Sequence, residues 1–230
     1  MASTCSLRSM VKGLVLLATL YLWACNTIAE LEPEPDLSRT QNPDGSALAL
    51  RTTESFSGFM DDSGSLPVDI TILGEVRPRE FVDDAMRSVS QMYQQCGIPV
   101  KATVNEVSVE TAQDIDVAGR YRLTHEYASD KPGVFIVEST AERDVAFSYL
   151  PSLQRDVSGT AWITNRVSDA CFAWIIAHEI GHLVLNDATH HPQRDNIMNA
   201  QCSQGSFNTS SALPRWTPRQ CELIRSAGTL

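Results

Sequence analysis

Residues 170–185 read ACFAWIIAHEIGHLVL, and the organisation of the chain can be worked out from this segment. Its side chains are mostly apolar or strong helix formers, and Asp169 can cap its start, so it predicts one long buried helix. His178 and His182 stand four residues apart, so both imidazoles project from the same helix face. The segment therefore predicts a rigid helix that presents two histidines side by side.

The stretch His178-Glu179-Ile180-Gly181-His182 matches the pattern H-E-x-x-H of zinc sites. Two imidazoles on one helix face can bind one zinc ion, which lowers the pKa of a coordinated water to about 7. Glu179 follows His178 about 100° around the helix, close enough to accept the proton of that water. We therefore expect zinc at His178 and His182, with Glu179 as general base and later as general acid. The alternative is a helix whose two histidines face solvent.

This pattern resembles that of the metzincin family of zinc peptidases, which extends it to H-E-x-x-H-x-x-G-x-x-H/D. In that family the glycine turns the chain, and the last residue is the third ligand that a catalytic zinc needs beside an open position. The chain departs from the family pattern, because Leu185 replaces the glycine and Ala188 replaces the ligand. If the helix continues to Leu185, Asn186 or Asp187 can take the left-handed turn instead.

A turn two residues later moves the third ligand that the resemblance implies by two residues, to His190. His191 and Asp187 remain alternatives, as does a more distant carboxylate such as Glu222. We expect one catalytic zinc ion, bound by His178, His182 and His190.

A second feature of the family follows at Asp195-Asn196-Ile197-Met198-Asn199, which resembles the metzincin Met-turn. The resemblance implies that Met198 forms a floor under the histidines, where a thioether packs well. The alternative is an ordinary core methionine. The family fold is also implied: a mixed sheet, an active-site helix, a Met-turn and a C-terminal helix. In that fold an edge strand, here 133–139 or 159–164, pairs with an extended substrate.

Hydrophobic periodicity predicts the remaining strands and helices. The strands lie at 66–76, 98–109, 133–138 and 159–164, and the helices run from Pro78 through Tyr93, from Ala170 to Leu185 and from Pro218 to Ala227. The order β-α-β-β-β-α-loop-α is typical of an α/β or α+β fold. We assign residues 66–230 to one zinc metalloprotease domain.

The N-terminal residues predict export. Residues 1–24 have basic side chains followed by a short apolar run, which is typical of a signal peptide. Leu22-Trp23-Ala24-Cys25 resembles the lipobox of bacterial lipoproteins, and this implies cleavage before Cys25 and lipidation of its thiol. The alternative is ordinary cleavage and a freely secreted product. Residues 25–65 are acidic and proline-rich, which predicts a flexible tether or, alternatively, a short pro-segment.

Four cysteines remain for the exported domain, an even number that favours two disulfides. Three connectivities are possible. We predict Cys96–Cys171, which would join two core helices, and Cys202–Cys221, which would close the part after the Met-turn.

The charge of the chain indicates which classes of binding partner to expect. The chain has 230 residues, a formal net charge of −10 and a pI near 4.9. This acidity disfavours nucleic acid, and it leaves the lipid anchor as the only expected membrane contact. We expect a monomeric endopeptidase in the cell envelope or secreted, acting on peptides or proteins. The rival hypothesis is a non-catalytic, zinc-stabilised surface lipoprotein or binding module.

Overall fold

The structure is a computed structural model that describes residues 59–109, 114–142, 144–152, 157–202 and 213–227. The predicted signal peptide (1–24), the lipidation site Cys25 and most of the predicted tether (25–65) lie outside the described residues. The last seven residues of that tether, 59–65, are described. Phe59 is buried in the main core, and Asp61 accepts hydrogen bonds from Ser63 and Ser65 in a tight turn. Phe59 and Ser65 are therefore buried against the domain, whereas residues 62–64 are exposed.

The centre of the fold is a five-stranded mixed sheet. Its strands are β1 (Leu66–Leu73), β2 (Val100–Val107), β3 (Gly133–Val137), β4 (Ala146–Tyr149) and β5 (Thr160–Thr164). Their order is β2-β1-β3-β5-β4, and every neighbouring pair is parallel except β4 with β5. Together with the helices, this sheet confirms the predicted mixed α/β class.

Four helices are described: α1 (Arg79–Gln94), α2 (Val117–Tyr127), α3 (Asp169–Leu185) and α4 (Pro218–Ala227). Helix α1 begins one residue after Pro78, and Gly97 follows its end with a φ of 72°. Helix α2 and strand β4 were not predicted. Helix α2 buries Arg120 and Thr124 instead of a regular apolar stripe, and β4 has only four residues, so neither has a periodic signal. Within the described residues, no helix is long and apolar enough to cross a membrane.

The two predicted edge strands are interior strands. The strand at 133–137 lies between β1 and β5, and the strand at 160–164 lies between β3 and β4. Both consist of buried residues only, as expected for strands covered on two faces. The outer strand beside β5 is the short β4, which the sequence analysis overlooked.

Each face of the sheet carries a hydrophobic core. The larger core contains the apolar sides of α1 and α3, with residues such as Val134 and Ile136 of β3. The smaller core, on the opposite face, contains Phe135 and Trp162, whose rings stack with centroids 4.4 Å apart. Alternate residues of β3 therefore serve different cores, which is the period of a strand.

The predicted disulfide pairing is wrong, because the structure joins Cys96 to Cys221 and Cys171 to Cys202. Helix α4 lies against the end of α1, where Arg225 donates a hydrogen bond to the carbonyl oxygen of Cys96 at 2.9 Å. This contact brings Cys221 beside Cys96. Cys202 lies instead beside the first turn of α3, so the second disulfide ties the segment after the predicted Met-turn to the start of the histidine helix.

Candidate metal centre

Helix α3 is held rigidly because it is buried on all sides. Every residue from Ile176 to Val184 is buried, and the hydroxyl of Tyr93 donates to the carbonyl oxygen of Ala177 at 3.1 Å. Gly181 has no room for a side chain, since an added Cβ would lie 2.5 Å from Sδ of Met198 and 2.8 Å from the ring of Trp216. Met198, only 2% exposed, thus packs directly against the helix between the two histidine positions.

The end of α3 redirects the chain toward the histidines. Asn186 takes the left-handed conformation with a φ of 48°, one of the two turn positions predicted from the sequence. Asp187 follows, and its carboxylate accepts hydrogen bonds from the backbone N–H and the hydroxyl of Thr189, at 2.8 and 2.9 Å. This local turn brings His190 back over the helix.

His178, His182 and His190 converge. Their possible ligand nitrogens all lie within 4.8 Å of one another, and the ring centroid of His190 is 5.2 Å from that of His178 and 5.1 Å from that of His182. His178 and His182 are buried, whereas His190 is exposed. The cluster is therefore accessible from the side of His190.

Backbone carbonyls fix the tautomers of the two buried histidines. Nδ1 of His178 donates to the carbonyl oxygen of Ile197 at 2.7 Å, and Nδ1 of His182 donates to that of Asp187 at 2.6 Å. With these protons on Nδ1, both Nε2 atoms carry lone pairs, and they face each other at 3.0 Å. Two lone pairs at this distance repel each other, and a proton or a metal ion bound to them relieves the repulsion.

Burial keeps both imidazoles neutral at pH 7. It lowers the pKa of His178 to about 3, with a further decrease from the neighbouring His182 and an opposing effect of the Ile197 carbonyl. Burial also lowers the pKa of His182. Neutral imidazole is the form that binds metal ions, so the two groups need not release a proton to become ligands.

The residues fit zinc. Three imidazoles are an established donor set for catalytic zinc, and the nitrogens of two ligands on a tetrahedral zinc lie about 3.3 Å apart, close to the observed 3.0 Å between the Nε2 atoms. The exposure of His190 leaves a direction open for a fourth, non-protein ligand. The donor set and the access both match a catalytic site rather than a closed structural one.

Glu179, the residue after His178 in α3, is also buried and contacts strand β4. The hydroxyl oxygen of Ser148 is 2.5 Å from Oε2 of Glu179 and 3.1 Å from its carbonyl oxygen. Burial raises the pKa of Glu179 to about 7; the Ser148 hydrogen bond lowers it, and the charge of Asp144 raises it. A carboxylate with this pKa can both accept and return a proton near neutral pH.

The alternative third ligands lie elsewhere. Nδ1 of His191 accepts a hydrogen bond from the backbone N–H of Gln193 at 3.2 Å, and the carboxylate of Asp187 is engaged by Thr189. Glu222 lies on α4, where it forms an exposed ion pair with Arg219. Ser148 was missed by the sequence analysis, because a serine in a four-residue strand has no motif that would reveal it.

No family model and no curated protein matches the chain. Among solved structures, the chain is similar to metalloproteinase-II from Bacteroides fragilis, with 15% identity over 70% of this chain and a TM-score of 0.49. The match covers 53% of that protein, so the chain spans about half its length. A zinc-dependent peptidase from Methanocorpusculum labreanum is 13% identical over 68% of this chain and 99% of its own, with a TM-score of 0.45.

Archaemetzincin from Methanopyrus kandleri gives a TM-score of 0.52, with 10% identity over 73% of this chain and 97% of that chain. At this identity the similarity concerns the fold alone. The mixed α/β fold of the chain thus matches that of archaemetzincin.

Proposed function

We propose that this chain is a zinc-dependent endopeptidase. The observation that carries the proposal is the convergence of His178, His182 and His190, with the buried Glu179 on the same helix, directly after His178. A purely structural zinc site needs no proton acceptor, and it normally has four protein ligands. The archaemetzincin fold supports the same conclusion.

The residues of the site would have different roles in peptide hydrolysis. His178, His182 and His190 would hold the zinc, which supplies a more acidic water and a polarised carbonyl. Glu179 accepts the proton of the attacking water and then donates it to the departing amine. Met198 supports the helix from below through its contact at Gly181.

The open edge of β4 is a suitable place for the substrate backbone. The carbonyl oxygen of Val145 accepts a hydrogen bond from the N–H of Thr164, and the register pairs Ala146 with Ile163. Since bonded positions alternate in an antiparallel pair, the backbone groups of Ala146 and Ser148 point away from β5. An extended peptide could pair with these groups, close to Glu179.

We also propose that the protein is exported and tethered to a membrane through a lipid on Cys25. The support is the sequence of residues 1–25 and the two disulfides of the domain, since disulfides persist in oxidising compartments. Cys25→Ser should release the protein from the membrane fraction and remove the mass of the lipid. Unchanged mass and fractionation would exclude the anchor.

The central test is Glu179→Gln. It should lower the kcat for peptide cleavage roughly 10²- to 10⁴-fold, with zinc content and melting temperature close to those of the wild type. Glu222→Gln, an exposed glutamate of α4, is the matched control and should retain activity. Zinc removal by a chelator should abolish cleavage reversibly. A wild type that binds zinc but cleaves no peptide in a broad library would favour the non-catalytic surface protein instead.

A further inference from the structure

Ser148 connects the outer strand to the histidine helix. Its neighbours in β4, Phe147 and Tyr149, pack against the smaller core on the far face of the sheet. The side chain of Ser148 therefore points to the opposite face, toward α3. Among the described residues of β4, it is the one whose side chain forms a hydrogen bond with Glu179.

The contact is directed at the reactive end of Glu179. The hydroxyl of Ser148 has one proton and lies 2.5 Å from the carboxylate oxygen Oε2, against 3.1 Å from the carbonyl oxygen of the same residue. A hydroxyl donates preferentially to the charged acceptor, and the shorter distance agrees with this. The bond holds Oε2 and leaves Oε1 as the oxygen that can take the proton of the attacking water.

The geometry points to Ser148 as a positioning residue that fixes the carboxylate of Glu179 for proton transfer. This inference rests on the proposed peptidase function. A glutamate side chain has several rotatable bonds, and a proton acceptor must be held within hydrogen-bond reach of its donor. The backbone of Ser148 faces the open edge of β4, so the strand that would pair with the substrate also orients the base.

A purely structural role for the hydroxyl is the competing interpretation, because the same contact ties β4 to α3. The two roles differ in what a variant changes. A lost structural tie lowers stability alone, whereas a lost positioning contact lowers kcat and leaves KM near its original value.

The experiment compares Ser148→Ala with Ser148→Thr and Ser148→Val. Threonine and valine have nearly the same shape, but only threonine retains the hydroxyl. We expect kcat to fall roughly 10- to 100-fold in the alanine and valine variants, as for other residues that support a reactive group. The threonine variant should restore most of this loss, and KM should stay within about twofold in all three.

Thr164→Val is the matched control. The Thr164 hydroxyl donates to the carbonyl oxygen of Val145 at 3.0 Å, so its loss also loosens the start of β4 without touching Glu179. It should lower the melting temperature by a similar amount and leave kcat unchanged. A kcat loss in Thr164→Val equal to that in Ser148→Ala would overturn the positioning role.

A readout without catalysis separates this inference from the proposed function. In a crystal structure of Ser148→Ala, the Glu179 carboxylate should leave its wild-type position or occupy two positions, with the zinc content unchanged. A Glu179 carboxylate that stays fixed, or a threonine variant that is no better than valine, would refute the role of Ser148. If the wild type cleaves no peptide at all, the peptidase proposal fails, and the crystal structure alone decides on Ser148.

Discussion

The two faces of the sheet near β4 carry two buried polar clusters that differ in the kind of groups they bring together. On the α2 face, Arg120 is 1% exposed, binds the carboxylate of Glu142 through both terminal nitrogens and donates to the hydroxyl of Tyr149 at 2.8 Å. On the α3 face, His178 and His182 use Nδ1 for backbone carbonyls but turn their Nε2 atoms toward each other. The first cluster pairs a cation with a carboxylate and a hydroxyl, whereas the second places two imidazole nitrogens against each other.

This difference distinguishes a cluster that stabilises the fold from a cluster that is suited to bind a ligand. A buried polar network that is fully paired stabilises one arrangement of the chain and needs no ligand. Several neutral imidazoles brought together without a carboxylate form instead a donor set of the kind that binds metal ions. The Arg120 cluster therefore braces β4, whereas the histidine cluster offers a set of nitrogen donors that could bind a cation.

Glu142→Ala should have the largest effect on stability. It leaves the buried Arg120 cation without its carboxylate, which costs about 3 kcal/mol, the lower end of the range for broken buried pairs because Glu142 is partly exposed. Urea unfolding measures this loss. Zinc content should remain unchanged, and loss of zinc in parallel with stability would mean that the two clusters are not separate. Glu222→Ala, in the exposed pair with Arg219, should change stability by less than about 1 kcal/mol.

His190→Ala should have the opposite pattern. Because His190 is exposed, its removal should hardly change the stability of the zinc-free protein. Zinc affinity should fall by at least roughly 10- to 100-fold, because that is the typical loss when a residue that only supports a ligand is removed. Titration with a competing chelator measures it, and His191→Ala is the matched control. Equal losses in both variants would contradict the assignment of His190 as the third ligand.

Gly181→Ala tests the floor of the metal centre. The added Cβ would lie 2.5 Å from Sδ of Met198, so the methionine must move, at a cost of about 1–3 kcal/mol for overpacking. Gly133→Ala in β3 is the control, since its nearest neighbour would be 3.7 Å away, an ordinary contact. Thermal unfolding should separate the two variants. A tolerated Gly181→Ala would show that Met198 is not a fixed support.

The local part of the site could be predicted from the sequence. The spacing of His178 and His182 follows from helix geometry, and the lack of a glycine at Leu185 moves the turn to a residue that tolerates the left-handed conformation, Asn186. Both inferences need only a few neighbouring residues. The observed turn lies one residue after Leu185 and not the two that the placement of His190 assumed, so the spacing indicated the ligand but not the loop that carries it.

Long-range pairings were beyond the same reasoning. The disulfides join Cys96 to Cys221 and Cys171 to Cys202, 125 and 31 residues apart, and depend on how α4 and the segment around Cys202 pack, which no local pattern encodes. Strand β4 has four half-buried residues and no clear alternation. Strand β4 forms through its pairing with β5, a contact that the local sequence does not encode. Because β4 was not predicted, neither the edge of the sheet nor Ser148 was predicted.

The last expected effect is the pH dependence of stability in zinc-free protein. Burial lowers the pKa of His178 from 6.5 to about 3, so its contribution to stability is present above pH 6.5 and is lost as the pH falls. Burial raises the pKa of Glu179 from 4.5 to about 7, so its contribution is present below pH 4.5 and is lost as the pH rises. Between pH 4.5 and 6.5, the two groups therefore change the free energy of unfolding in opposite directions as the pH changes.

Glu179→Gln removes one of these two opposing contributions to the pH dependence of stability. The zinc-free variant should therefore lose stability more steeply than the wild type as the pH falls from 6.5 to 4.5, by at most about 1.4 kcal/mol per pH unit. Urea unfolding at several pH values in the presence of a chelator measures this difference. Thr164→Val removes no titratable group and should therefore give a curve parallel to that of the wild type over the same range. Parallel curves for Glu179→Gln as well would mean that the buried glutamate and the histidines do not oppose each other, and the electrostatic contrast between the two clusters would be lost.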